Sequence, residues 1–200
     1  MNYSRESEEL YNQAIAIIEE DVDFERWGEA EELLLQSAAA GNGDAMYRLG
    51  LACLEDGGTD YEGAVAWYQK AARCGLPQAY YFLSLMSEQG EGCKKDEALS
   101  GRYCLKAARL GDAEAMFWTG IYFNEGTHGF KKSPATAYKF LLKARNAGFA
   151  NDNLNRMISR LQDYSDEETI DGRFPEDPLQ GPVEPAPKEE KSWWGFAGAV

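Results

Sequence analysis

The sequence predicts an all-α fold, an alpha-alpha superhelix (solenoid) of stacked antiparallel helix pairs. Three observations carry that reading: a short phrase that returns four times and closes on glycine, an apolar set at helical spacing ahead of each glycine, and a capping side chain ahead of the last three sets. The phrase runs Ser37-Ala38-Ala39-Ala40-Gly41, Lys70-Ala71-Ala72-Arg73-Cys74-Gly75, Lys106-Ala107-Ala108-Arg109-Leu110-Gly111 and Lys143-Ala144-Arg145-Asn146-Ala147-Gly148. Its glycines stand 34, 36 and 37 residues apart, a period that marks repeated helix pairs.

The apolar sets occupy i, i+3, i+4 and i+7: Ala30, Leu33, Leu34, Ser37; Ala64, Trp67, Tyr68, Ala71; Ser100, Tyr103, Cys104, Ala107; Ala137, Phe140, Leu141, Ala144. That spacing lays one buried stripe along a helix. Four residues ahead of the last three sets stand Asp60, Asp96 and Ser133, whose side chains accept from the free amides of a first turn. Pro134 follows Ser133 and loses no hydrogen bond at a first helical position. Glycine then ends each helix in the left-handed conformation, with Lys70, Lys106 and Lys143 complementing the negative end of the helix dipole.

A second helix fills each interval: Ala45, Leu49 and Cys53; Ala79, Leu83 and Ser87; Ala115, Thr119 and Phe123. Alanine at these points lets helix backbones approach closely. Glycine-bearing loops separate the helices at Gly57-Gly58, Gly90-Glu91-Gly92 and Gly126 to Gly129. The expected organisation is a helical solenoid over 1–163, with a degenerate first pair at about 4–41, repeats at about 42–75, 76–111 and 112–148, and a closing helix at about 151–163. Residues 164–200 are expected to be an acidic, proline-rich disordered tail, because charge and proline oppose a packed core up to about Lys191. Its aromatic end holds Trp193, Trp194 and Phe196, a docking motif for the protein's own groove, a sister subunit or another protein, or else a protease-recognised or folded-back end without a task.

The pattern resembles the Sel-like repeat family, short-looped relatives of the tetratricopeptide repeats. Its hallmark is an alanine, Leu-Gly, a Gly-x-Gly loop, Lys-Asp, an aromatic pair, Lys-Ala-Ala and a final glycine. The matching residues are Ala45, Leu49, Gly50, Gly58, Trp67, Tyr68, Lys70 and Gly75 in one copy. The next has Ala79, Leu83, Gly90, Gly92, Lys95, Asp96, Tyr103, Lys106 and Gly111, and the last Ala115, Gly120, Gly126, Lys132, Ala137, Lys143 and Gly148. Ser84 stands where the middle copy would have glycine, and the last copy carries an extra loop residue near His128.

The resemblance implies a protein-protein interaction module, an adaptor or regulator that binds a polypeptide on a concave helical face. By analogy with the tetratricopeptide groove, the inward positions are Asp44, Tyr47, Leu51 and Glu55; Gln78, Tyr81, Leu85 and Gln89; and Glu114, Phe117, Ile121 and Glu125. An apolar strip rimmed by carboxylates suits a peptide with apolar anchors and basic flanks. The competing reading is that these rows are partly core, filled by the next repeat.

Bulk properties narrow the partners. With 200 residues and 44% hydrophobic content the chain can bury one core and carry a tail. A net charge of -14 opposes nucleic acid and anionic lipid, and favours a basic protein or peptide. No apolar run approaches the roughly 18 residues of a membrane span, and Met1 to Leu10 is polar, so a cytoplasmic location is expected. Cys53, Cys74, Cys93 and Cys104 lack metal or redox spacing, so reduced thiols, no metal and no cofactor are expected.

His128, the one histidine, falls in a loop and reads as solvated; no phosphate loop, nucleophile elbow or metal motif accompanies it. The expectation is therefore not an enzyme. The sharper alternative is an inhibitor or immunity protein that neutralises a basic toxin or nuclease. A β-lactam-binding or hydrolysing enzyme is the distant one, because the cysteine-rich branch it belongs to places cysteines at Ala72 and Tyr80, or at Ala108 and Met116.

Overall fold

The computed structural model describes residues 4–20, 24–54 and 60–165. Among them every regular element is helical: α1 (Arg5–Glu19), α2 (Phe24–Ala39), α3 (Gly43–Ala52), α4 (Tyr61–Arg73), α5 (Pro77–Gln89), α6 (Glu97–Leu110), α7 (Ala113–Glu125), α8 (Pro134–Asn146) and α9 (Asp152–Leu161), then a short 3-10 turn (Gln162–Tyr164). No helix among the described residues is long and apolar enough to cross a membrane.

The caps explain where the helices begin. Asp60, Asp96 and Ser133 accept from the backbone amides of Gly63, Leu99 and Thr136, as the sequence predicts. Ser4, Asn42, Asp112 and Asn151 do the same for α1, α3, α7 and α9. At the other ends, Gly41, Gly75, Gly111 and Gly148 take φ of 92°, 86°, 108° and 90°, the left-handed region that satisfies the last carbonyls. The repeat lysines do more than face a dipole: Lys70 lies 3.9 Å over the Trp67 ring and Lys143 5.4 Å over Phe140. Burial lowers the pKa of Lys70 below its ordinary value.

The described chain divides into two compact units, one built from residues 4–79 with 91–93, the other from 80–90 with 94–165. In the first, α1 packs on α2, α2 on α3 and α3 on α4. Ala14, Ala45, Ala64 and Ala71 are fully buried, and Leu49 and Tyr68 lie beside them at 1% exposure or less. The backbones of α3 and α4 come so close that a Cβ on Gly50 would stand 2.6 Å from the Tyr68 ring. A buried polar clasp fixes the entry: the Ser37 hydroxyl donates to the Ser7 carbonyl at 2.6 Å, and the Asn42 amide donates to the same oxygen at 3.3 Å. Asn42 thus caps α3 with its oxygen and holds α1 with its nitrogen.

In the second unit α6 packs on α7, α7 on α8 and α8 on α9. The Tyr80 and Tyr103 rings, 6.4 Å apart, and the Ser84 and Ser100 hydroxyls, 3.2 Å apart, join α5 to α6. Cys104 is fully buried, its thiol within 3.4 Å of the Ala115 carbonyl and 3.5 Å of the Thr119 hydroxyl. Phe123 and Leu141, at 1% and 0% exposure, fill the space between α7 and α8. Burying such a side chain contributes about 1.5–3 kcal/mol. On α9, Leu154, Ile158 and Leu161 are buried, one apolar edge of an otherwise polar helix.

Two measurements check this packing. Asn42→Ala removes both a cap and a buried clasp, and is expected to cost about 1–3 kcal/mol in urea unfolding. Burial pushes the thiols of Cys53 and Cys104 up to about 12, so neither should react with Ellman's reagent at pH 8 until denaturant is added. Cys74 and Cys93, only half-buried, should react first.

Candidate protein-binding face

The site is built on α5 and α7. On α7 the spacing Glu114, Trp118, Ile121, Glu125 follows one helix face, and Asp112 sets its start by accepting from the Ala115 amide at 2.7 Å. From α5, Tyr81 donates its hydroxyl to Glu114 Oε1 at 2.8 Å. The Trp118 indole, whose N–H can only donate, lies close enough to Tyr81 to favour its ionised form. Burial first, and then the Glu114 carboxylate, push the Tyr81 phenol above its ordinary value, with Trp118 acting the other way. Tyr81 therefore stays protonated and is held on the Glu114 carboxylate, with the Trp118 indole close by.

Trp118 is 38% exposed, one of few large apolar side chains in the described structure that reach solvent. The groove analogy selects its neighbour Phe117 instead, which is only 5% exposed and stacks on Phe149 with ring centroids 4.9 Å apart. At that position the competing reading, a row partly filled by core, describes the packing. The sequence signal for Trp118 is its place four residues after Glu114 on the same face. Leu85 and Ile121 are half-buried on the same two helices, and Gln89, Glu114 and Glu125 are exposed.

In the first unit, Asp44, Tyr47 and Leu51 on α3 are half-buried, and the Tyr47 ring rests 5.9 Å from that of Tyr68. Gln78 is exposed at the start of α5. Glu55, Trp193, Trp194 and Phe196 lie outside the described residues.

Beyond Trp118 the α7 face continues into a cleft of about 600 Å³ whose opposite wall is α9. Phe117, Trp118 and Ile121 line one side, and Arg156, Met157 and Arg160 the other.

His128 corrects another expectation. It is not a solvated loop residue: its side chain is 13% exposed, its ring stacks on Tyr122 at 3.8 Å, and Nε2 lies 3.3 Å from Glu88 Oε1. Nδ1 meets the Thr127 hydroxyl at 3.1 Å, and its backbone adopts φ 53°. A Cβ on Gly101 would collide with the His128 carbonyl, so α6 seats this loop by leaving one out. The histidine clasps a loop to α5 and α7. Among the described residues no group of three His, Cys, Asp or Glu side chains could hold a metal.

Helix pairs at a regular period, closed by capping side chains and left-handed glycines, define a helical-repeat protein. The Sel1 repeat profile matches residues 43–76, 77–112 and 113–149, and the chain belongs to the Sel1 repeat family. That repeat is a protein-protein interaction module. The chain is similar to a protective antigen of uropathogenic Escherichia coli described as displaying an SLR fold, at 29% identity and a TM-score of 0.68, covering 78% of this chain and 34% of that one. It is also similar to a Sel1 repeat protein of Oxalobacter formigenes, at 25% identity and a TM-score of 0.64, covering 78% of this chain and 61% of that one. The chain thus spans about a third of the first relative and about three-fifths of the second.

Burial raises the Asp112 carboxyl above its ordinary value of 3.8. The folded state then holds that proton more tightly than the unfolded one, so the stability carried by the neutral form is present at low pH and is lost as pH rises through the raised value. Asn caps as well as Asp and carries no charge. Asp112→Asn should therefore have a Tm at pH 7 at least as high as the parent, with its advantage shrinking as pH falls through the raised value towards 3.8 and levelling off below it, read by calorimetry across pH.

Proposed function

We propose that this chain is an adaptor or regulator that holds a polypeptide partner on the face carrying Tyr81, Glu114, Trp118 and Ile121, with the half-buried Asp44, Tyr47 and Leu51 of α3 offering a similar face in the first unit. The observation that supports it most is the exposed Trp118 beside the hydrogen-bonded Tyr81–Glu114 pair. An aromatic beside such a pair gives contact area while losing little side-chain entropy on binding. The Glu114 carboxylate beside the indole favours a lysine or arginine of the partner, which can pair with the one and lie over the other. Partner features are thus basic and apolar, and a reducing cytoplasm is the compartment we assign, in keeping with the singly buried Cys53 and Cys104.

A second reading rests on the net charge of -14: an inhibitor or immunity protein that occludes a basic toxin or nuclease. Salt separates the two, since a charge-mimicking inhibitor loses affinity steeply as ionic strength rises, whereas an aromatic-anchored adaptor loses little.

Affinity capture from the native cell, followed by mass spectrometry, identifies the partner. Tyr81→Ala and Trp118→Ala should each lower its recovery at least tenfold while circular dichroism stays helical; unchanged recovery with both would discard this face. Phe117→Ala should instead cost about 3–5 kcal/mol of stability, because its ring is buried against Phe149.

A further inference from the structure

We infer that the α7–α9 cleft is a subsite that continues the docking face through Trp118 and Ile121 and is selective for an acidic segment with an apolar anchor on another protein. The inference rests on the reading that the chain holds polypeptides, and adds a subsite of opposite charge preference to it. The three family repeats end at residue 149 and α9 lies beyond them, so the cleft exists only because the chain adds a helix to its last repeat.

The cleft measures about 600 Å³, within the roughly 300–1,000 Å³ of ligand-sized clefts. Its floor is apolar: Phe117 and Leu161 are buried, Ile121 and Met157 half-buried, and Trp118 exposed at the edge. Methionine adapts its unbranched chain to differing anchors. The charged groups lining the cleft are Glu125 on α7 and Arg156 and Arg160 on α9, a net positive lining on a chain whose overall charge is -14.

The two arginines are the decisive pair. They stand four residues apart, so one helix face presents both. Both are exposed, and neither forms an ion pair or a hydrogen bond among the described residues. Arg5 and Arg26, by contrast, are paired with Glu9 at 2.8 Å and Glu20 at 2.7 Å, so Arg156 and Arg160 are two guanidinium groups left open to a ligand beside an apolar cleft. Guanidinium forks match carboxylates in a bidentate geometry that a lysine cannot reproduce. An apolar side chain seated on Met157 and Ile121, with carboxylates one or two residues away on the α9 side, would meet Arg156 and Arg160 and keep clear of Glu125.

The test uses the full chain and two fluorescein-labelled peptides, Asp-Glu-Trp-Leu-Glu-Glu and Arg-Lys-Trp-Leu-Lys-Lys, read by fluorescence anisotropy at low and physiological salt. The acidic probe is expected to bind. Arg156→Glu/Arg160→Glu should weaken it at least tenfold and strengthen the basic probe, a gain that also shows the variant is folded. Arg156→Lys/Arg160→Lys should recover only part of the affinity. Lys139→Glu, which reverses an exposed charge on α8 away from the cleft, should leave the acidic probe within about twofold.

Acidic binding that survives the charge reversal, or no acidic binding at all, overturns the inference. If partner recovery remains sensitive to Tyr81→Ala in that case, the docking face stands and only the cleft falls. Deletion of residues 166–200 should leave the acidic probe's affinity unchanged. A tenfold gain on deletion would mean that the chain's own segment fills the cleft, and the external partner would be wrong.

Discussion

Close approach of helix backbones at positions with little or no side chain is the constraint on which the rest depends. Ala45, Ala64, Ala71, Ala107, Ala115, Ala137 and Ala144 are all completely buried. At Gly50 and Gly120 even a methyl group would press on Tyr68 or Leu141. These small residues bring short helices near enough for each large side chain to touch two neighbours, which is how helices of ten to sixteen residues, marginal alone, are held. The same approach carries Tyr81 on α5 within hydrogen-bonding reach of Glu114 on α7. The site is therefore a by-product of packing: the spacing of the cores sets the spacing of the exposed rims.

Most of the frame is legible in the sequence because periodicity and capping are local. Asp60, Asp96 and Ser133 announce their helices by type and position, and the apolar sets fall on buried faces almost without exception. Phe117 and Trp118 show where that legibility stops. Both are aromatic, adjacent and near the boundary of the buried stripe, and only the arrival of Phe149 from the end of α8 covers one and leaves the other out. That residue follows a turn-closing glycine more than thirty positions downstream, and no local rule connects them. His128 departs from expectation for the same reason: a loop position says nothing of Tyr122 and Glu88, which lie on two different helices.

The charge arrangement adds a second layer. A chain with so large an excess of carboxylates would repel its own helices at close range if the acids faced inward, and its buried polar groups are instead neutral hydroxyls and amides such as Ser7, Ser37, Asn42, Ser84, Ser100 and Thr119. Most acidic side chains are left to the surface, with some, such as Asp112 and Glu88, half-buried, and Glu114 and Glu125 mark the two ends of the α7 face. The helix has a hydrogen-bonded carboxylate near its beginning and arginines facing its end across the cleft. A partner lying along it would have its direction chosen by charge before its anchors seat.

Glycine recurs along this chain for unlike reasons. At Gly111 a Cβ would meet open solvent, and what is required there is a backbone twist that other residues resist. At Gly101 the twist is ordinary, and what is required is emptiness. An asparagine, tolerant of the left-handed region, can stand in for the first kind and is useless at the second. Drift in such a repeat would thus erase its joints slowly and its helix contacts abruptly, so a copy that has lost every closing glycine can still be a working unit.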